Sequence, residues 1–240
     1  MGSTSLSPGL RDALSMLARD LRDVFGTRLQ SVVAYGVGRE PRDHDLVHTL
    51  ALVDRVTFDD LAACAPAADS WERRGLAVPL LMSRDEFLRT LDVFPLEYEA
   101  IITNHVIVEG ADLFAAISVD ELDLRRAIEL QAKSHLIHLR EAFLESGRDP
   151  NRVARLIAAS VTTFRSLLGN IARLNARPAD ADEHIAAAAA ELVGLDPAMV
   201  REVLASGVTA TAAVDPSALL SRYITGTELV WRYVDGWRQR

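Results

Sequence analysis

The stretch that decides the fold is residues 32–54, VVAYGVGREPRDHDLVHTLALVD. An apolar run ends in Tyr-Gly-Val-Gly, a short charged loop follows, and a second apolar run ends at Asp54. Short apolar runs bounded by glycine and charged turn residues are typical of buried strands. The stretch therefore predicts a strand, a glycine turn, an acidic loop and a second strand.

Bulk properties narrow the class of protein. The 240 residues contain no apolar run near the roughly 20 residues that a membrane span needs. The N-terminal MGSTSLSPGL lacks the basic and then apolar regions of a signal peptide. The single cysteine, Cys64, excludes an internal disulfide and fits a reducing compartment. We expect a cytoplasmic protein with no membrane partner.

The acidic net charge argues against duplex nucleic acid as a general partner. The chain carries 34 acidic and 26 basic residues, a net charge of −8, and the only lysine is Lys133. General duplex nucleic-acid binders need a basic excess to neutralise phosphates. We therefore expect no general duplex binding, although a small nucleotide or a local basic pocket remains compatible.

The chain changes character near residue 118. Before it, the strand-like runs LQSVVAYG, HTLALVD and AVPLLMS alternate with helices, and LEYEAIITNHVIVEG suggests one or two further strands. Thr57 is expected to cap one helix, and Ser83 with Glu86 a second. After residue 118 only amphipathic helices follow, the first opened by a predicted Ser118–Glu121 capping box. This predicts an α+β chain, with a sheet covered by helices over residues 1–118 and an all-α helical bundle over residues 119–240.

The order of these elements resembles the nucleotidyltransferase domains of the DNA polymerase beta superfamily. The segments LALVD, LDVFP and LQAKSHLIHLR resemble an uncharacterised bacterial subgroup of that superfamily with a helical C-terminal domain. EAIITNHVIVEG also resembles a family segment in which an apolar strand is followed by Glu-Gly. The resemblance implies a nucleotidyltransferase-like mixed sheet, a nucleoside triphosphate partner, and Mg²⁺ if the protein is active. It places Gly36 and Val37 at the phosphate turn, Asp43 and Asp45 as metal-binding and catalytic carboxylates, and Glu97 as the third carboxylate.

The sequence departs from that pattern in the motif itself. The family has serine after the glycine, but here the residue is Val37. If the strands are aligned through LALVD, the two aspartate positions fall on Leu46 and His48 instead of Asp43 and Asp45. Three alternatives remain open: solvated loop charges with a packed His48, a surviving metal site, and nucleotide binding without catalysis. The third carboxylate could be Glu97 or Glu99, with Glu97 favoured by position.

Polar residues on the first long helix form a second candidate group. Lys133, His135, His138 and Arg140 could line a phosphate or nucleotide pocket, because residues three or four apart share a helix face. The alternative is that one histidine is a partly buried polar residue at the interface between the two halves.

These observations lead to two functional hypotheses. The first is a nucleotidyltransferase-like pseudoenzyme that serves as a nucleotide-binding, ligand-binding or interaction module. The alternative is an active Mg²⁺-dependent enzyme that moves a nucleotidyl group from a nucleoside triphosphate to a hydroxyl of a small molecule, a protein or RNA.

Overall fold

The computed structural model describes residues 6–36, 46–207 and 215–238. The chain divides into two compact units, residues 1–120 and residues 121–240. Val37, Asp43 and Asp45 lie outside the described residues. Among the residues that are described, none of the helices is both long enough and apolar enough to cross a membrane.

The first unit contains a four-stranded mixed sheet and five α-helices in its described part. The strands are β1 (Leu29–Tyr35), β2 (His48–Val53), β3 (Leu80–Ser83) and β4 (His105–Gly110). The helices are α1 (Pro8–Phe25), α2 (Phe58–Cys64), α3 (Ala68–Arg73), α4 (Arg84–Arg89) and α5 (Pro95–Thr103). The strand order is β3-β2-β1-β4; β1 pairs antiparallel with β2 and β4, and β2 pairs parallel with β3.

The apolar runs of the opening stretch become the two central strands because both of their faces are covered. Four consecutive residues of β1, Ser31–Ala34, are buried, and five of the six residues in β2 are buried. Helix α1 packs on one face through Leu14, Leu17 and Leu21. Full burial of such a side chain stabilises the fold by about 1.5–3 kcal/mol, so this face fixes the position of α1 on the sheet.

The far end of β4 requires glycine. Gly110 has φ +83°, and a Cβ built there would lie 2.2 Å from the Gln30 carbonyl oxygen of β1. Gln30 lies where the β1–β2 register shifts between Leu29 and Ser31. The bulge and the glycine together let the two backbones approach.

Local capping signals were predicted correctly in two places. The Thr57 hydroxyl accepts from the backbone N–H of Asp60 at 3.3 Å, and the Ser83 hydroxyl accepts from that of Glu86 at 3.0 Å. The third predicted cap is wrong, because α6 begins at Glu121 and its preceding residue is Asp120 rather than Ser118.

The strand expected over the LEYEA segment is also wrong. This segment forms α5, which begins at Pro95 and buries Tyr98 and Ile101, three residues apart on one helical face. Proline at the first helical position has φ already suited to a helix. Glu97 and Glu99 therefore lie on a helix, and their predicted strand alternation does not exist.

The second unit is a helical bundle in its described part. Its helices are α6 (Glu121–Ser146), α7 (Pro150–Leu174), α8 (Asp182–Val193), α9 (Pro197–Ala205) and α10 (Pro216–Asp235). Proline occupies the first turn of α7, α9 and α10, and each follows an aspartate whose carboxylate accepts from a backbone N–H of that turn. Such caps satisfy N–H groups that have no partner within the helix.

Candidate functional site

Three ring side chains form a row across the sheet at the end of β1. Tyr35 is in register with His48 of β2 and with His105 of β4. Directly opposed residues on antiparallel strands project to the same face, so the three rings are neighbours. The Tyr35 and His48 rings stack with their centroids 5.7 Å apart. The row immediately precedes Gly36, where the sequence predicted a glycine turn and where φ is +72°, in the left-handed region.

Hydrogen bonds orient the imidazole of His105. Its Nδ1 donates to the Ile101 carbonyl oxygen at 2.9 Å, and its Nε2 lies 3.5 Å from a carboxylate oxygen of Asp112. The His105 side chain is mostly buried against the Phe114 ring, whereas His48 is exposed. Burial raises the pKa of the Tyr35 phenol above its ordinary value. A neutral phenol and two imidazoles therefore stand beside the glycine turn.

This row is poorly suited to hold magnesium. Mg²⁺ prefers carboxylate, phosphate and water oxygens in octahedral geometry, and imidazole is a poor substitute. Within the described ranges, no group of three or more His, Cys, Asp or Glu residues is arranged to hold a metal ion. The carboxylate of β4, Glu109, pairs with Arg22 of α1 rather than with the rings.

Sequence reasoning missed Tyr35, His105 and Asp112. The segment containing His105 resembled the family as an apolar strand followed by Glu-Gly, and this resemblance assigned no role to His105. Strand topology could have indicated His105. A strand that pairs antiparallel with β1 along its full length places its first residue beside the last residue of β1. Glu97, the predicted third carboxylate, lies exposed on α5, and its catalytic role stays a prediction.

The four candidate residues of α6 separate into two pairs. Lys133 and Arg140 contact α10: the Lys133 Nζ lies 3.6 Å from the centroid of the Trp231 ring, and Arg140 pairs with Glu228 at 3.2 Å. His135 and His138 instead line a groove between α6 and α7. The structure thus gives the two cations partners within the bundle and brings the two histidines together in the groove.

His135 is buried, with only 5% of its surface exposed. Its Nε2 lies 2.6 Å from the Tyr223 hydroxyl, which accepts a hydrogen bond from the Ser160 hydroxyl at 3.2 Å. Burial, together with a smaller effect of His138, lowers the pKa of His135 to about 4. His135 is therefore a neutral histidine inside the bundle, in contact with Tyr223 and Phe164, and its expected place at the interface between the two halves stays a prediction. His138 is exposed and pairs with Glu141.

Comparison with known proteins identifies the fold. No protein-family model matches the sequence, and no curated protein matches it. Among solved structures, the spectinomycin adenyltransferase AAD(9) from Enterococcus faecialis, determined with ATP and spectinomycin, is similar, with a TM-score of 0.54. The sequence identity is 11%, and the similarity covers 90% of this chain and 98% of that chain.

The chain has a nucleotidyltransferase-like fold. The predicted fold class, a mixed sheet with covering helices followed by an all-α region, is confirmed. At this level of identity the likeness concerns the arrangement of the backbone. The fold alone therefore does not decide the function, and the proposal below rests on the residues beside Gly36.

Proposed function

We propose that this protein is a nucleotidyltransferase-like pseudoenzyme that binds a nucleoside triphosphate without transferring its nucleotidyl group. The observation that carries the proposal is the stacked pair of Tyr35 and His48 next to the glycine turn. Under the alignment through LALVD, His48 takes the position of the second metal-binding aspartate. An imidazole there supplies no oxygen ligand for Mg²⁺.

The proposed nucleotide contacts begin at the glycine turn. Gly36, with its positive φ, and Val37 would offer backbone N–H groups to phosphate oxygens, as successive amides do in anion-binding turns. Val37 has no hydroxyl to add. The similar adenyltransferase was determined with ATP, which makes ATP the first nucleotide to test.

In the bundle unit, the residues proposed to contact a nucleotide are Lys133, His135, His138 and Arg140. Each of the two cations already has a partner, Trp231 or Glu228, that a triphosphate would have to replace. His135 is neutral and buried, so its contribution to phosphate binding would be small. Lys133 is the sharpest test among them, because a charge-assisted hydrogen bond to phosphate contributes about 1.5–3 kcal/mol.

The alternative is an active Mg²⁺-dependent nucleotidyltransferase. The left-handed Gly36 leaves this function open, because a phosphate turn depends on that backbone geometry in an active enzyme as well. In this case Asp43, Asp45 and Glu97 would hold Mg²⁺, and the acceptor would be a hydroxyl of a small molecule, a protein or RNA.

Calorimetric titration with ATP, with and without Mg²⁺, separates the two functions. A pseudoenzyme should bind ATP with affinities that differ less than about threefold between magnesium and chelator, because few protein oxygens help to coordinate the ion. A transferase should bind at least about tenfold more tightly with magnesium, and Asp45→Asn should abolish that gain. Absence of ATP binding under both conditions would contradict the nucleotide-binding proposal itself.

A paired variant makes the test specific to His48. His48→Asp restores a carboxylate at an exposed position and should increase the dependence of ATP binding on magnesium. His184→Asp, at an exposed histidine of α8 that belongs to neither proposed group of nucleotide contacts, is the matched control and should not do so. Transfer of radiolabel from α-labelled ATP to any acceptor by the wild-type protein would refute the pseudoenzyme.

A further inference from the structure

The two imidazoles beside the glycine turn differ in how far the protein already uses them. His105 has a partner at each ring nitrogen: Nδ1 donates to the Ile101 carbonyl oxygen, and Nε2 faces the Asp112 carboxylate at 3.5 Å. His48 is exposed, and within the described residues its ring nitrogens have neither a hydrogen-bond partner nor an ion-pair partner. Its described ring contact is the stack on Tyr35. The imidazole of His48 is therefore the one available to a ligand.

The His48 ring lies within reach of an anion held at Gly36. Tyr35 is in register with His48, and Gly36 is the next residue along the chain. Paired strands lie about 4.8 Å apart and consecutive Cα atoms about 3.8 Å apart, so the backbones of His48 and Gly36 are separated by about 6 Å. Gly36 is exposed and left-handed. A phosphate group that accepts from the Gly36 N–H can therefore also meet the imidazole.

The described groups around His48 do not compete with a ligand for its charge. On the β1 side stands Tyr35, a neutral phenol whose pKa is raised by burial. On the other side, Val47 bonds to the backbones of Gly75 and Ala77, and none of these three side chains titrates. Histidine is the side chain whose charge ordinarily changes between pH 5 and 8, and an imidazolium has two N–H donors. A phosphate beside His48 favours this charged form.

We propose that His48 binds the nucleotide phosphates as an imidazolium, so that ATP binding is coupled to the uptake of a proton. This inference rests on the proposed function, because it gives His48 a role in the same nucleotide site. In active nucleotidyl-transfer sites a metal ion neutralises phosphate charge. Here the imidazolium supplies positive charge through a charge-assisted hydrogen bond. Because the complex holds more protons than the free protein, ATP affinity rises as the pH falls.

Calorimetric titration of the full-length protein with ATP in EDTA, at pH 6.0 and pH 8.0, measures this coupling. ATP itself gains a proton in this range, so His48→Gln provides the reference. The ratio of the affinity at pH 6.0 to that at pH 8.0 should be about tenfold larger in the wild type than in His48→Gln, the effect of one charge-assisted hydrogen bond. Over two pH units this corresponds to about half a proton taken up per ATP. Titrations at pH 7.0 in buffers of different ionisation enthalpy measure that uptake directly.

Two further variants separate the charge of His48 from its shape. His48→Arg is cationic at both pH values, so it should bind ATP more tightly than the wild type at pH 8.0 and lose the extra proton uptake. His184→Gln, at an exposed histidine of α8, is the matched control and should behave as the wild type. Thermal unfolding verifies that each variant is folded.

The outcomes distinguish this inference from the proposed function. If the wild type binds ATP but shows the same pH ratio and proton uptake as His48→Gln, the role of His48 is overturned and nucleotide binding stands. Loss of the extra proton uptake in His184→Gln would also overturn the role of His48. Absence of ATP binding by the wild type at both pH values would overturn both proposals.

Discussion

Replacing His135 by glutamine should make the bundle less sensitive to acid. His135 has its pKa lowered from 6.5 to about 4, mainly because burial disfavours the imidazolium. Glutamine does not ionise in this range and can offer an amide oxygen to the Tyr223 hydroxyl. The variant therefore removes the titrating group while keeping a hydrogen-bonding side chain beside Tyr223.

The sign and the size follow from proton linkage. Above pH 6.5 the imidazole is neutral in both states, and its contribution to stability is fully present. Between pH 6.5 and about 4 the unfolded chain takes up a proton that the folded protein does not, so the free energy of unfolding falls as the pH falls. The slope is about 1.4 kcal/mol per pH unit, which gives a loss of about 3 kcal/mol by pH 4.5.

Urea-induced unfolding at pH 7.5 and pH 4.5 measures this loss in the wild type, His135→Gln and His138→Gln. Comparing variants cancels the contributions of other titrating groups. His135→Gln should lose about 3 kcal/mol less than the wild type between the two pH values. His138→Gln, at an exposed position of the same helix, should lose nearly as much as the wild type. Equal losses in the wild type and His135→Gln would refute the burial of a neutral His135.

Three further substitutions test other contacts of the fold. Gly110→Ala should destabilise the protein by more than about 3 kcal/mol, because its Cβ would clash with the β1 backbone. Gly75→Ala, at a similar φ but in open space, should cost about 1–2 kcal/mol. Equal losses of unfolding free energy in the two variants, measured by chemical denaturation, would contradict this. Tyr223→Phe should cost about 1–3 kcal/mol because it leaves the buried Nε2 of His135 unpaired, and unchanged stability on denaturation would argue against that hydrogen bond. Lys133→Met should cost about 0.5–1 kcal/mol through loss of the cation–π contact with Trp231, and equal ATP affinity in this variant would remove Lys133 from the proposed nucleotide site.

Features governed by neighbouring residues were predictable from the sequence. The helix caps at Thr57 and Ser83 depend on residues three positions away. The strands β1 and β2 were predictable because their apolar runs are short and bounded by turn residues. The error at α5 has the same local origin. Glu97 and Glu99 fit strand alternation, whereas Tyr98 and Ile101, three residues apart, fit a helix that begins at Pro95.

Features that depend on distant pairings were not predictable. Tyr223 lies 88 residues from His135, and only the packing of α10 against α6 brings the two together. The row of Tyr35, His48 and His105 likewise depends on strand order. The last residue of β1 pairs with the first residue of β2 on one side and with the first residue of β4 on the other. A helix pattern located His135 and His138 on one face, but it could not show that one is buried and the other exposed.

The Glu-Gly pair at the end of β4 is part of the resemblance to nucleotidyltransferases. In the structure, both residues make contacts that hold β4 in the first unit. Glu109 ties β4 to Arg22 of α1, and Gly110 admits the bulged backbone of β1. Any chain that brings β4 this close to the backbone of Gln30 would need glycine at position 110, whether or not it transfers a nucleotide. Similarity at this pair is therefore information about architecture alone, and a search for active relatives would discriminate better at the positions of Val37 and His48.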